Sequence, residues 1–162
     1  MRIGILGSGL MGAKLGAIFA RAGHHVTFSY ARSEAKLKRL ARHAGPTLVP
    51  GRRRKPPAIP TLCSLAVHWS RVDDVLKQAG NLSGKVIVSC SLPMNAADTR
   101  LIHAATTSGA EELAKKIPRA RVVSAFNTVP SEVLFSVFAS KHPGPPLFTA
   151  VTTKKLKVSP PA

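Results

Sequence analysis

The residues best placed to do chemistry in this chain are three glycines, a short basic loop and a histidine at the end of an apolar run. Gly7, Gly9 and Gly12 stand at Gly-x-Gly-x-x-Gly spacing, directly after the run Ile3-Gly-Ile-Leu6 and at the head of a helical pattern that reaches Gly23. Gly7 permits a tight turn out of a strand, Gly9 lets a phosphate approach the backbone with no Cβ in the way, and Gly12 lets a helix pack close to a sheet. The helix N-terminus at Ser8, Leu10 and Met11 offers unpaired N–H groups and the positive end of a dipole, which suits a pyrophosphate. A glycine turn that only joins strand to helix is the plainer alternative. The context favours binding: an apolar strand comes first, and the helix keeps small Gly16, Ala17 and Ala20 beside apolar Leu15, Ile18 and Phe19.

A second strand over residues 26–30 follows at once, so the unit is β-α-β with parallel strands and a right-handed crossover. The tip of that strand selects the dinucleotide. A carboxylate there binds the adenosine ribose hydroxyls of NAD, whereas a basic residue among hydroxyls accommodates a 2′-phosphate. This chain reads Ser29-Tyr30-Ala31-Arg32-Ser33 with no acid before Glu34. The pattern therefore predicts NADP(H), with Arg32 on the 2′-phosphate and Ser29, Tyr30 and Ser33 close by. A solvated arginine at 32 and a simple helix cap at Ser33 remain the alternatives.

The histidine is His68, in His68-Trp69-Ser70-Arg71 at the carboxyl end of an apolar strand over residues 61–67. Residues beyond the carboxyl end of such a strand line the cofactor crevice. His68 is thus either a proton donor or a pocket wall, Trp69 a packing residue in preference to a ring stacked on the cofactor, and Ser70 a cap for a helix over residues 71–79. Further strands are predicted over residues 85–91 and 121–126, and helices over 34–44, 108–117 and 131–140. Cys90 has no neighbouring cation or base in sequence to activate it, which argues against a catalytic thiol.

These elements predict an α/β chain: a Rossmann-type, doubly wound, mostly parallel sheet with helices on both faces. Its 162 residues suffice for one sizeable core, expected over residues 1–140. Residues 46–60, with Arg52-Arg-Arg-Lys55 among prolines, read as an irregular insert, and residues 141–162 as a basic, proline-rich, disordered tail in which 147–151 is a candidate edge strand. The net charge of +17 would ordinarily suggest nucleic acid. No acid lies between Glu34 and Asp73 or after Glu132, so much of the excess sits in the segments that fit the fold least, and stacking aromatics are scarce. Nucleic acid is a disfavoured partner, and no run of residues suggests a membrane partner or a signal peptide. Cys63 and Cys90 make no metal spacing and suit a reducing, cytoplasmic setting.

The glycine turn, Ala66-Val-His-Trp69, the strand at residues 86–90 and above all Ala120-Arg-Val-Val-Ser-Ala-Phe-Asn-Thr128 resemble the NADP-dependent oxidoreductases related to coenzyme F420 (deazaflavin) reductases. The resemblance covers residues 1–45 and 62–140. It implies an NADP(H) site at Ser8 to Met11, Arg32 and Ser33, with Val67, His68 and Asn127 lining the nicotinamide side. It also implies hydride transfer to a deazaflavin or small-molecule acceptor, with contacts to a second copy of the chain as a further expectation. The insert and the tail depart from the family, as a truncated or frame-shifted member would. Hydride transfer between two cofactors needs positioning more than an acid or base, which agrees with the lack of a convincing catalytic pair; a carbonyl or imine acceptor would need a proton donor, for which His68 is the candidate. An NADP-binding domain without turnover is the alternative reading.

Overall fold

The computed structural model describes residues 1–29, 48–50, 60–103, 106–140 and 150–152. The central strand β1 (Arg2–Leu6) is buried from its second residue onward, as expected of a strand covered on both faces. It lies between β2 (His25–Ser29) and β4 (Leu62–Leu65), and pairs parallel with both. Beyond β2 lies β3 (Leu48–Pro50); beyond β4 lie β5 (Val86–Ser89), β6 (Arg121–Ser124) and β7 (Ala150–Thr152). Among the described residues the sheet order is β3-β2-β1-β4-β5-β6-β7, with every pairing parallel except that of β6 with β7. This is the expected doubly wound Rossmann-type sheet, and the chain reverses direction across it between β1 and β4.

Helices cover both faces. On one lie α1 (Leu10–Arg21) and α4 (Ser131–Ser140); on the other lie α2 (Val72–Ala79) and α3 (Gly109–Lys116). Alternation along the strands divides the core accordingly. Ile3, Ile5, Val26 and Phe28 pack with Ala20 and Phe19 of α1, while Leu6, Cys63, Leu65, Ile87 and Val122 pack with Val72 and Val75 of α2 and Leu113 of α3. Gly16 lets α1 settle directly on the Phe28 ring, since a Cβ there would run into it. The helix closes at Gly23, whose φ of +81° is the left-handed conformation glycine adopts freely, and whose N–H bonds the Ala20 carbonyl.

Two expectations change. The stretch 46–60 is not irregular throughout, because Leu48–Pro50 pairs parallel with β2 in the register Val26↔Leu48 to Phe28↔Pro50. A proline is tolerated there because an edge strand pairs on one side only. The basic tail likewise contributes β7, antiparallel to β6 through Val123↔Val151, so the edge strand sought over 147–151 is found at Ala150–Thr152. The helix expected over 34–44, the cluster 52–55 and the rest of the tail lie outside the described residues.

Candidate functional site

The reversal of chain direction leaves a crevice where the carboxyl ends of β1 and β4 lie side by side, the place at which open α/β sheets bind ligands. The two ends are tied together, for Leu6 and Leu65 are in register and the Ala66 N–H donates to the Leu6 carbonyl at 2.9 Å. The cavity there is about 400 Å³. One wall is Gly7, Ser8, Gly9, Leu10 and Met11; the other is Ala66, Val67, His68, Arg71 and Cys90.

The first wall is a glycine cradle whose parts are separable. Gly7 turns the chain at φ +115°, with its N–H on the Ser29 carbonyl at 3.0 Å, and a side chain there would strike the Ala66 carbonyl. Gly12 lies behind the turn rather than in the cavity, and a Cβ on it would run into the Gly7 carbonyl oxygen. Gly9 differs from both: nothing lies within 4 Å of where its Cβ would be. It is also the N-cap of α1, with no side-chain hydrogen bond capping the helix and no acid in its first turn. The helix therefore keeps its positive end and its amide donors for a ligand. Open space over Gly9 beside uncapped N–H groups is the fit a pyrophosphate requires.

The second wall is organised by His68. Its Nδ1 accepts the Ser70 backbone N–H at 3.2 Å and lies 2.8 Å from Ser70 Oγ, while Nε2 lies 2.8 Å from Asp98 Oδ1. The acceptor role of Nδ1 puts the ring proton on Nε2, where it is donated to Asp98. The His68 ring thus caps the short 3-10 turn Trp69–Arg71, and Ser70, expected to cap a helix over residues 71–79, lies inside that turn, while α2 begins at Val72 with no side-chain cap. Trp69 takes the packing role expected of it: it is buried among Leu65, Val72 and Leu113, with its ring edge-on to His103 at 5.5 Å. Asp98 is held ready by its own loop, in which Asn95 Oδ1 accepts the Thr99 and Arg100 N–H groups and the Asn95 carbonyl accepts the Asp98 N–H.

Cys90 closes the back of the cavity beside Ala66 and Leu15. Burial pushes its thiol up to about 11, against a smaller opposing effect of the Ser64 hydroxyl 3.4 Å away. It is a wall, not a nucleophile. No cluster of histidine, cysteine or acid side chains that could hold a metal occurs among the described residues.

Of the residues anticipated from the sequence, Gly7, Ser8, Gly9, Leu10, Met11, Val67 and His68 meet in the crevice. Ser29 stands at the end of β2 and contributes its carbonyl to the Gly7 turn. Asn127 lies beyond the end of β6, after Phe126 at a left-handed φ of +63°, and does not line the cavity. Tyr30, Arg32 and Ser33 lie outside the described residues. Ala66, Arg71 and Cys90 were not anticipated as lining residues. Arg71 follows the strand by enough to read as the start of a helix, and its position in the crevice depends on the 3-10 turn.

Sheet order, crevice and cradle define a dinucleotide-binding domain of the Rossmann type. The model of the family described as NADP oxidoreductase, coenzyme F420-dependent, matches residues 2–93. With more than half of its length matched, the chain belongs to that family of oxidoreductases, whose cofactor is NADP. The chain is similar in structure to a protein of Arthrobacter sp. described as an F420-dependent NADP reductase, at 24% identity and a TM-score of 0.71, over 81% of this chain and 64% of that one. It is also similar to a hypothetical protein of Sinorhizobium meliloti, at 23% identity and a TM-score of 0.71, over 83% and 65%. A reductive aminase of Aspergillus terreus, solved with NADPH and ethyl-5-oxohexanoate, matches at 21% identity and a TM-score of 0.59, over 82% of this chain and 42% of that one. The chain thus spans just under two thirds of the first two. No helix among the described residues is long and apolar enough to cross a membrane.

Proposed function

We propose that this chain holds NADP(H) in the crevice between β1 and β4 and passes hydride between the nicotinamide and a second molecule, either a deazaflavin or a small acceptor. The observation that carries this reading is the cradle: open space over Gly9, an uncapped helix N-terminus and, among the described residues, no acid in the cavity wall. When bound, NADPH supplies a hydride to an electrophilic carbon and is left as NADP⁺.

The chain's part is binding, orientation and exclusion of water. Amides of residues 8–11 hold the pyrophosphate. Ala66, Val67 and Cys90 give the reacting end an apolar wall, and the Val67 carbonyl is already engaged by the Ser91 hydroxyl at 2.7 Å. Arg32 pairs the 2′-phosphate with Ser29, Tyr30 and Ser33 beside it. His68 serves as a wall and as the clamp on Asp98, so the reading favours an acceptor that needs no proton from the protein. Cys63 and Cys90 are both free, which suits a reducing compartment, and we assign the activity to the cytoplasm. A second copy of the chain is the partner expected to complete the acceptor side.

The test is titration with NADPH and NADH, read by cofactor fluorescence, with Arg32→Ala alongside. NADPH is expected to bind more tightly, and Arg32→Ala to bring its affinity to that of NADH. Binding of neither dinucleotide overturns the reading.

A further inference from the structure

We propose that Arg71 is a second anchor for the cofactor's pyrophosphate, facing the amide cradle from the opposite wall; this rests on the reading that the crevice holds a dinucleotide. Arg71 lines the same cavity as Ser8, Gly9 and Met11. Among the described residues the cavity wall contains no carboxylate to neutralise it, and Arg71 forms no ion pair with any of them. A permanent cation facing a row of amide donors makes the crevice doubly suited to an anion.

The position of Arg71 is fixed by its neighbours. The Arg71 N–H bonds the His68 carbonyl at 2.9 Å, the His68 ring caps Ser70, and Trp69 is buried to 7% exposure at the head of the same turn. The long side chain therefore starts from a rigid turn, which lowers the entropy lost when its guanidinium engages a ligand.

Sheet order decides which phosphate it meets. β2 and β4 flank β1 on opposite sides, so Arg71, following β4, stands across the crevice from the tip of β2. The 2′-phosphate belongs at the β2 tip, by Ser29. The pyrophosphate lies between, over the Gly9 opening, where a planar guanidinium can engage its oxygens bidentately. Arg71 thus recognises what NADPH and NADH share and leaves discrimination between them to residues beyond β2.

The experiment uses the full chain with Arg71→Met, which keeps the aliphatic stem and removes the charge, and with Arg71→Lys. Arg119→Met serves as a control, because the Arg119 carbonyl bonds the Gly84 N–H ahead of β5, at the far end of the sheet from the crevice. Dissociation constants are measured for NADPH, NADH, ADP-ribose and adenosine 2′-phosphate, with thermal unfolding of each variant. Arg71→Met is expected to weaken NADPH, NADH and ADP-ribose together by about tenfold or more, and to spare adenosine 2′-phosphate and the melting temperature. Arg71→Lys should recover part of the loss, and Arg119→Met should bind as the parent does. Affinity for ADP-ribose within twofold of the parent overturns the proposal, as does a loss confined to NADPH, which would assign Arg71 to the 2′-phosphate. ADP-ribose binding that depends on Arg71 without any preference for NADPH would uphold Arg71 and overturn the choice of NADP. A parent chain that binds none of the four ligands overturns both.

Discussion

His68 Nε2 lies 2.8 Å from Asp98 Oδ1 across thirty residues of sequence, while His68 Nδ1 takes the Ser70 N–H. Both ring nitrogens are spent on the protein, so the imidazole has no proton to offer a ligand without breaking the contact with Asp98. His68→Ala is therefore expected to change kcat for hydride transfer to a carbonyl or imine acceptor by less than about threefold, whereas loss of a general acid typically costs about 10²–10⁴-fold. Steady-state kinetics at saturating NADPH check this. A fall of the larger size would restore His68 as the proton donor that the sequence left open.

Gly9 and Gly12 should separate binding from folding. Gly9→Ala places a methyl in open space at an ordinary φ of −69°, so stability is expected to stay within about 0.5 kcal/mol of the parent. The same methyl occupies the room a pyrophosphate needs, so NADPH affinity should drop. Gly12→Ala instead drives its methyl into the Gly7 carbonyl oxygen, a backbone atom that cannot swing away. It is expected to cost about 1–3 kcal/mol in urea unfolding, as overpacking does. Equal loss of stability in both variants would sink the distinction.

The parts of this molecule legible in the sequence are those governed by local rules. The glycine spacing, the apolar strand before it and the small residues of α1 sit within one β-α-β unit, and each constraint there acts over a few residues. The strand β3 was obscured because Leu48-Val49-Pro50 is short and surrounded by prolines and arginines, and it shows itself through its pairing with β2. The clamp between His68 and Asp98 has no sequence signal: it joins a strand end to a loop whose shape comes from Asn95 folding back on Thr99 and Arg100. Arg71 was hidden for a related reason. On an ideal helix from residue 71 it reads as a solvated first-turn residue, and only the His68-capped turn carries it to the crevice.

The two thiols are expected to be silent in the native chain. Burial pushes Cys63 up to about 11, against the opposing effects of Lys85 and the Gly4 N–H, and raises Cys90 to about 11 likewise. At pH 8 roughly one molecule in a thousand then carries either thiolate, and a disulfide reagent should react far more slowly than with the unfolded chain. The linked effect on stability has a definite sign. These folded-state values exceed the ordinary thiol value of 9.0, so the unfolded chain loses its protons first as the pH rises. Stability is intact below pH 9 and declines between about 9 and 11. Rapid titration of both cysteines in the native chain at pH 8 would contradict their placement in the core.

The start of α3 supplies an acid-side counterpart. The Ser108 N–H donates to Glu111 Oε2 at 2.7 Å and Ser108 Oγ accepts the Glu111 N–H at 3.2 Å, a reciprocal capping box. Ser108→Ala is expected to cost about 1 kcal/mol at neutral pH. The Ser108 N–H, aided by the Ser108 and Thr107 hydroxyls and by Lys115, holds the Glu111 carboxyl below the usual 4.5. The folded chain therefore keeps this carboxylate ionised at a pH where the unfolded chain has already protonated it. Its contribution is complete above the usual value and is lost as the pH falls through the lowered one. Glu111→Gln should accordingly be less stable than the parent at pH 7, with the gap closing as the medium is acidified, when unfolding curves for the two chains are compared at matched salt. A gap that stayed constant down to the acid limit would mean that the carboxylate's charge contributes nothing and that the side-chain oxygen alone makes the cap.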